Sequence, residues 1–121
     1  LEFEKAFVEA GGLMGAGADP TGNGGSLPGF GDQRNYELLL EAGFTPVKAI
    51  QIMTGNGARI VDAFDEYGSV EAGKSADLVL IDGNPLENPE EIRNVETVFK
   101  RGIGYDSAKL IADVQGMVGA K

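Results

Sequence analysis

The chain has 121 residues, 42% apolar and 24% charged, which is ordinary for one folded domain and wrong for a disordered tail. Ten basic residues face nineteen acidic ones, a net charge of −9, so nucleic acids and anionic membrane surfaces are expected not to be partners. There is no Cys and no His, which excludes disulfides, thiolate zinc sites, imidazole ligands and Ser-His-Asp or Cys-His mechanisms for this chain alone.

No apolar run approaches the ~20 residues that span a bilayer; the longest, Leu78-Val79-Leu80-Ile81, is strand-sized. Nothing in the first residues argues for secretion, and the acidic, cysteine-free composition leads to the expectation of a cytoplasmic location. The first residue is not Met, and residues 1–10 already form an amphipathic pattern with Phe3, Phe7 and Ala10 on one face. A helix without an N-cap at the first residue reads as a cut, so the chain is expected to be a fragment of a longer protein. Gly11-Gly12 stops this helix.

Leu13 to Ala18 is short, small and apolar and reads as a buried strand, ended by Asp19-Pro20. Nine of the 19 glycines lie between Gly11 and Gly31. That stretch is costly to order, and its Leu27, Pro28 and Phe30 are anchors that a plain linker lacks. Asp32 is placed to cap a helix from Gln33 to Ala42, with Leu38, Leu39 and Ala42 apolar and Gly43 as terminator. Thr45-Pro46 starts the next helix, with Ala49, Ile50 and Met53 as its buried stripe. Gly55-Asn56-Gly57 should interrupt it before a short helix from Ala58 to Ala63.

Beyond Gly68 the period changes. Ala76 to Asp82 reads as a strand, Gly83-Asn84-Pro85 as its turn, and Asn88 to Ile92 as one helical turn. Val95 to Arg101 alternates and is rich in β-formers, so it is a second strand that Gly102 to Tyr105 continues or folds back. Ser107 to Met117 is helical.

Gly68 to Ser75 matches the phosphate-loop pattern G-x-x-x-x-G-K-[ST] letter for letter. A phosphate cradle needs a strand before the loop and a helix after it, whose N-terminus supplies the positive field. Here a strand follows, and Glu71 places a negative charge in the loop. The better reading is a β-turn, with Gly73 at positive φ and Lys74 in solvent.

Read more widely, residues 68–82 (GSVEAGKSADLVLID) resemble the C-terminal signature of the metal-dependent amidohydrolase superfamily, roughly G-(S/T)-(I/V/L)-x-x-G-K-x-A-D-(L/I)-V before an apolar run and Asp. Other pieces follow that family's order. Ala18-Asp19-Pro20 resembles the T-D or S-D ending its last barrel strand. Thr45 to Ile50 resembles its T-P-x-E-A-(I/L) helix start, Thr54 to Ala58 its T-x-N-x-A segment, and Val95 to Gly102 its closing V-x-x-V-x-x-x-G strand. The resemblance covers about Gly11 to Tyr105 and is of the imidazolonepropionase and prolidase kind.

The resemblance implies an α/β fold: the C-terminal part of a metal-dependent (β/α)8 TIM barrel, its last strand and helices, plus part of a small β-sandwich. Residues 1–63 would be the barrel segment, 64–106 the sandwich part and 107–121 a C-terminal helix or tail. It also implies one or two divalent metals, zinc by expectation, in the full-length enzyme and none held by this chain alone. Metal-activated water would attack a C–N bond in a small amide, peptide or cyclic amide substrate. Asp19 matches the Asp that binds metal and shuttles the proton, with Ala18 where Thr or Ser is commoner. Asn23 and Phe30, in the loop beyond, become candidate substrate contacts, while Asp77 is expected to be structural. A chain lacking most of its barrel should be inactive alone and should associate as a homo-oligomer or strand-exchanged assembly. Two rival readings stand beside this one: a small non-catalytic α/β binding or structural module, and the less favoured nucleotide binder.

Overall fold

Two glycine-terminated helices and a hairpin sheet account for most of the architecture. A computed structural model describes residues 2–20 and 29–117. Helix α1 covers Glu2–Glu9 and α2 covers Gly31–Glu41. Helix α3 (Pro46–Gln51) runs through a π turn (Ile52–Asn56) into α4 (Gly57–Ile60). Strand β1 (Leu78–Ile81) is followed by a 3-10 turn (Pro89–Arg93), strands β2 (Val95–Lys100) and β3 (Ile103–Asp106), and helix α5 (Ser107–Asp113).

The core sits where α2 crosses α3 and the π turn. Tyr36, Leu39, Phe44, Ala49 and Ile52 are buried there, with Val8, Met14, Ala16, Ile50, Met53 and Ile92 packed around them. The connection into this core is set locally. Gly43 takes φ +86, the Gly43 N–H donates to Leu40 O, and the Phe44 N–H donates to Leu39 O. This is the six-to-one and five-to-two pair that ends a helix at a left-handed glycine, and the Leu39–Phe44 pair it brings together is core. Thr45 then caps α3 as expected: its Oγ1 accepts from the Lys48 N–H at 3.3 Å, with Pro46 in the first turn.

The sheet is antiparallel in the order β1-β2-β3. Leu78 pairs with Phe99 and Leu80 with Thr97, and a register shift then sets Ile81 against Val95. Lys100 pairs with Ile103, so Arg101-Gly102 is a two-residue hairpin with both residues at positive φ, +50 and +80. Asp77 steadies that turn. Its Oδ1 accepts the Arg101 N–H at 2.7 Å, and its Oδ2 accepts from the Lys100 ammonium. The structural role expected of Asp77 has this physical form. Burial of apolar surface is incomplete around this frame: Phe3 is 80% exposed, and Phe7, Val79, Leu80 and Ile103 are all exposed.

The structure differs from several local expectations. Leu13 to Ala18 joins no strand ladder. A strand exists only by pairing, and the sheet formed here lies elsewhere in the chain. Asp32 does not cap α2, because the helix already begins at Gly31 behind Phe30 and has no side-chain cap. Its charge instead meets the positive end of the helix from within the first turn. Gly55-Asn56-Gly57 bends the helix into a π turn without breaking it, and α4 stops at Ile60, short of Ala63.

Lys74 is not in solvent either. Its ammonium donates to Phe64 O and to Ser69 Oγ (2.7 Å), and it sits 3.6 Å from the Phe64 ring centroid. The Arg59 guanidinium lies at the same distance from that ring. Gly73 does take positive φ, +94. The phosphate-loop look-alike is therefore a turn stapled by a cation on an aromatic face, and it leads into β1.

Candidate active-site carboxylate

Asp19 owes its place to the segment before it. Residues 13–18, outside any helix or ladder, pass beside the π turn, with Met14 and Ala16 against the core. Close approach is possible because residue 15 has no side chain. A Cβ there would stand 3.0 Å from Ile60 Cδ1 and 3.4 Å from the Gly57 Cα. The backbone is also tied down: Asn56 Nδ2 donates to Met14 O at 3.0 Å, across 42 residues. Asn56 is itself buried. An amide there, without a partner, would forfeit its hydration for nothing, so this bond sets where the segment lies.

At the end of the segment Asp19 adopts φ +39 and is exposed, as is Pro20. Asp visits this region more readily than most residues, and a non-glycine residue held there is a common feature of functional sites. Phe30 stands at the N-cap of α2 and is exposed. Asn23 falls in 21–28, outside the described residues.

Among the described residues no three acidic side chains gather as a metal site would require, and the chain has no His or Cys to add. Among the described residues, Asp19 fits a metal as a contributor of one carboxylate.

Asn56 is the site residue that sequence reading missed. Its flanking glycines make Gly55-Asn56-Gly57 look like a break. The available signal was its place in the T-x-N-x-A segment, a lone amide among small residues that a helix would otherwise bury.

The chain is α/β, with a helical core, a three-stranded antiparallel sheet and an exposed carboxylate at Asp19. The Amidohydrolase family profile matches residues 5–104, and the chain belongs to that family.

An imidazolonepropionase of Alkaliphilus oremlandii is 34% identical over 83 residues, which is 62% of this chain and 20% of that protein. A 5-methylthioadenosine/S-adenosylhomocysteine deaminase of Bacillus cytotoxicus is 30% identical over 115 residues, 91% of this chain and 26% of that protein. Among solved structures, a Xaa-Pro dipeptidase with methionine bound in its active site is similar with a TM-score of 0.74 and 34% identity, covering 87% of this chain and 25% of that one. A prolidase complexed with N-methylphosphonate-L-proline is similar with a TM-score of 0.72 and 30% identity, covering 87% and 26%. The chain therefore spans between 20% and 26% of the length of these four proteins.

Proposed function

We propose that this chain is the C-terminal part of a hydrolase that cleaves C–N bonds in small amides, peptides or cyclic amides, and that Asp19 is its working carboxylate. The observation that supports this is where Asp19 stands. It follows a segment pinned to the helical layer, it is exposed, and it holds a positive φ within the stretch matched by the family. A carboxylate so placed can take a proton from an attacking water and pass it to a leaving nitrogen. In the whole enzyme it would also be one donor to a divalent metal, zinc by preference, with the other donors coming from residues this chain does not contain. Phe30 and Asn23 are proposed as substrate contacts.

The same reading assigns residues 1–63 to a (β/α)8 barrel, 64–106 to part of a small β-sandwich and 107–121 to a C-terminal helix or tail. It gives the exposed Phe3, Phe7, Val79, Leu80 and Ile103 a reason: in the whole protein, other parts of the molecule or a second copy would cover them.

The test compares two polypeptides, the 121-residue chain and the longer product of its own reading frame. Each is assayed with added zinc against dipeptides and cyclic amides. The short chain should show no turnover. The longer one should hydrolyse at least one substrate and lose about 10²- to 10⁴-fold in kcat on Asp19→Asn. Turnover by the short chain, or an undiminished variant, overturns the proposal.

A further inference from the structure

We propose that Asp82-Gly83 is a site of spontaneous backbone modification: the Asp82 carboxyl closes onto the Gly83 nitrogen as a five-membered imide and reopens as isoaspartate, while the fold withholds Asn56-Gly57 from the same chemistry. Neither half depends on the role of Asp19.

An acid or amide side chain followed by glycine is the sequence pattern for this reaction, because a residue without a Cβ leaves the attacking nitrogen unhindered. Asp82-Gly83 is the only Asp-Gly pair in the chain. Asn-Gly, the faster pattern, occurs at Asn56-Gly57 and at Asn23-Gly24, the latter outside the described residues. Sequence therefore ranks Asn56 ahead of Asp82, and the structure reverses that order.

Asp82 and Gly83 are exposed in the bend directly after β1. Among the described residues no hydrogen bond or ion pair holds the Asp82 carboxylate, and none takes up the Gly83 N–H. The chain on either side is tied: the Asp82 N–H donates to Asn94 O at 2.9 Å, and the Asn84 N–H donates to Glu91 Oε2 at 2.5 Å. Asn94 Nδ2 also donates to Asp82 O at 3.2 Å. That bond polarises the peptide unit whose nitrogen attacks, and so favours loss of its proton. Gly83 itself sits at φ +126, and a Cβ there would run into the Glu91 carboxylate, so the turn requires the residue that makes it reactive.

In the reaction the Gly83 nitrogen bonds to Asp82 Cγ and gives up its proton, and a carboxyl oxygen leaves as water. Water then re-enters the ring. Attack at Cγ restores aspartate, whereas attack at the main-chain carbonyl leaves the chain running through Cγ. One water is lost and one gained, so the isomer has the same mass. It carries an added methylene in the main chain between Asp82 and Pro85, the acceptor of the Tyr36 hydroxyl.

Asn56 has neither freedom. It is buried and its Nδ2 donates to Met14 O at 3.0 Å. Its backbone is helical, φ −70 and ψ −41, and the Gly57 N–H donates to Thr54 O. Ring closure there requires both bonds broken and the helix opened locally.

The experiment incubates the 121-residue chain in H218O at neutral pH, folded and in concentrated urea, then maps peptides by mass spectrometry. Each imide opening installs one heavy oxygen, and isoaspartate is read from its fragmentation. Asp82 should gain label and isoaspartate in the folded chain within about tenfold of its rate in urea, whereas Asn56 should deamidate at least about 10²-fold more slowly folded than in urea. Asp82→Glu, which cannot close a five-membered ring, should end labelling at residue 82. Asp82→Asn places identical Asn-Gly pairs at both positions of one molecule. Its residue 82 should outpace Asn56 by at least about 10²-fold when folded, and the two should react alike in urea. A folded chain without label or isoaspartate at Asp82 overturns the proposal. So does equal reaction of the two pairs in folded Asp82→Asn, or an Asn56 as reactive folded as in urea.

Discussion

The Tyr36 hydroxyl donates to the Pro85 carbonyl at 2.7 Å, joining helix α2 to the connection after β1 across 49 residues. Tyr36 is fully buried, so this one side chain supplies both core volume and a polar tie between α2 and the β1–β2 connection. Tyr36→Phe removes the tie and strands the Pro85 carbonyl, and should cost about 1 kcal/mol by urea denaturation. Tyr36→Ala also opens a cavity and should cost about 3–5 kcal/mol.

Burial pushes the Tyr36 hydroxyl above its ordinary pKa. The folded state then holds this proton to higher pH than the unfolded chain does, so the unfolded state binds fewer protons above about pH 10. Stability from this group is complete below that value and is lost as pH rises through the folded pKa. Denaturation midpoints from pH 8 to 11 should fall more steeply for the natural chain than for Tyr36→Phe.

Asp77 predicts the opposite limb. The Lys100 ammonium, and after it the Arg101 N–H, hold its carboxyl below the usual carboxylate range. Its contribution is present above the unfolded value of about 3.9 and is lost as pH falls through the lower folded one. Asp77→Asn should lower the denaturation midpoint at pH 7 and leave a smaller deficit at acid pH. An equal deficit at both would remove the ion pair from the account.

Lys74 should matter for folding and not for nucleotides. Lys74→Met keeps the aliphatic stem but loses the cation over Phe64 and the bonds to Phe64 O and Ser69 Oγ. It should cost about 1–2 kcal/mol. ATP with magnesium should leave the melting temperature of the natural chain unchanged, because the ammonium a phosphate would need is already committed.

Gly43 offers a purely conformational test. Its φ of +86 is unfavourable for any residue with a Cβ, and the space it faces holds only the flexible end of Lys5. Gly43→Ala should therefore destabilise by about 1 kcal/mol through backbone strain alone. Asn at the same site, more tolerant of that region, should recover part of the loss.

Much of the local architecture could be read in advance because its causes lie within a few residues. The stop at Gly43, the cap at Thr45 with Pro46 behind it, the single turn after Asn88 and the alternating strand from Val95 depend on neighbours no more than about four positions away. The family signature was legible for a related reason, since its glycines and its Lys-x-Ala-Asp run mark turns whose backbone needs leave few alternatives. The candidate site was legible only in part. Asp19 stood out as a carboxylate before proline at the end of an apolar run, whereas Asn56 looked like part of a break.

Sequence alone determined where α2 stops and α3 starts, and that no imidazole or thiolate chemistry can belong to these 121 residues. Tertiary structure alone decided which faces are covered. Period 3.6 allowed Ala49, Ile50 and Met53 as the buried stripe, yet docking on α2 buried Ala49 and Ile52 completely and left Ile50 and Met53 at the margin. It also drew Lys74 over Phe64, left residues 13–18 outside the sheet formed by the described residues, and gave Asn56 its partner at Met14. A turn's energy is settled between adjacent peptide units, whereas burial depends on contacts made tens of residues away, and those exist only once the chain has folded.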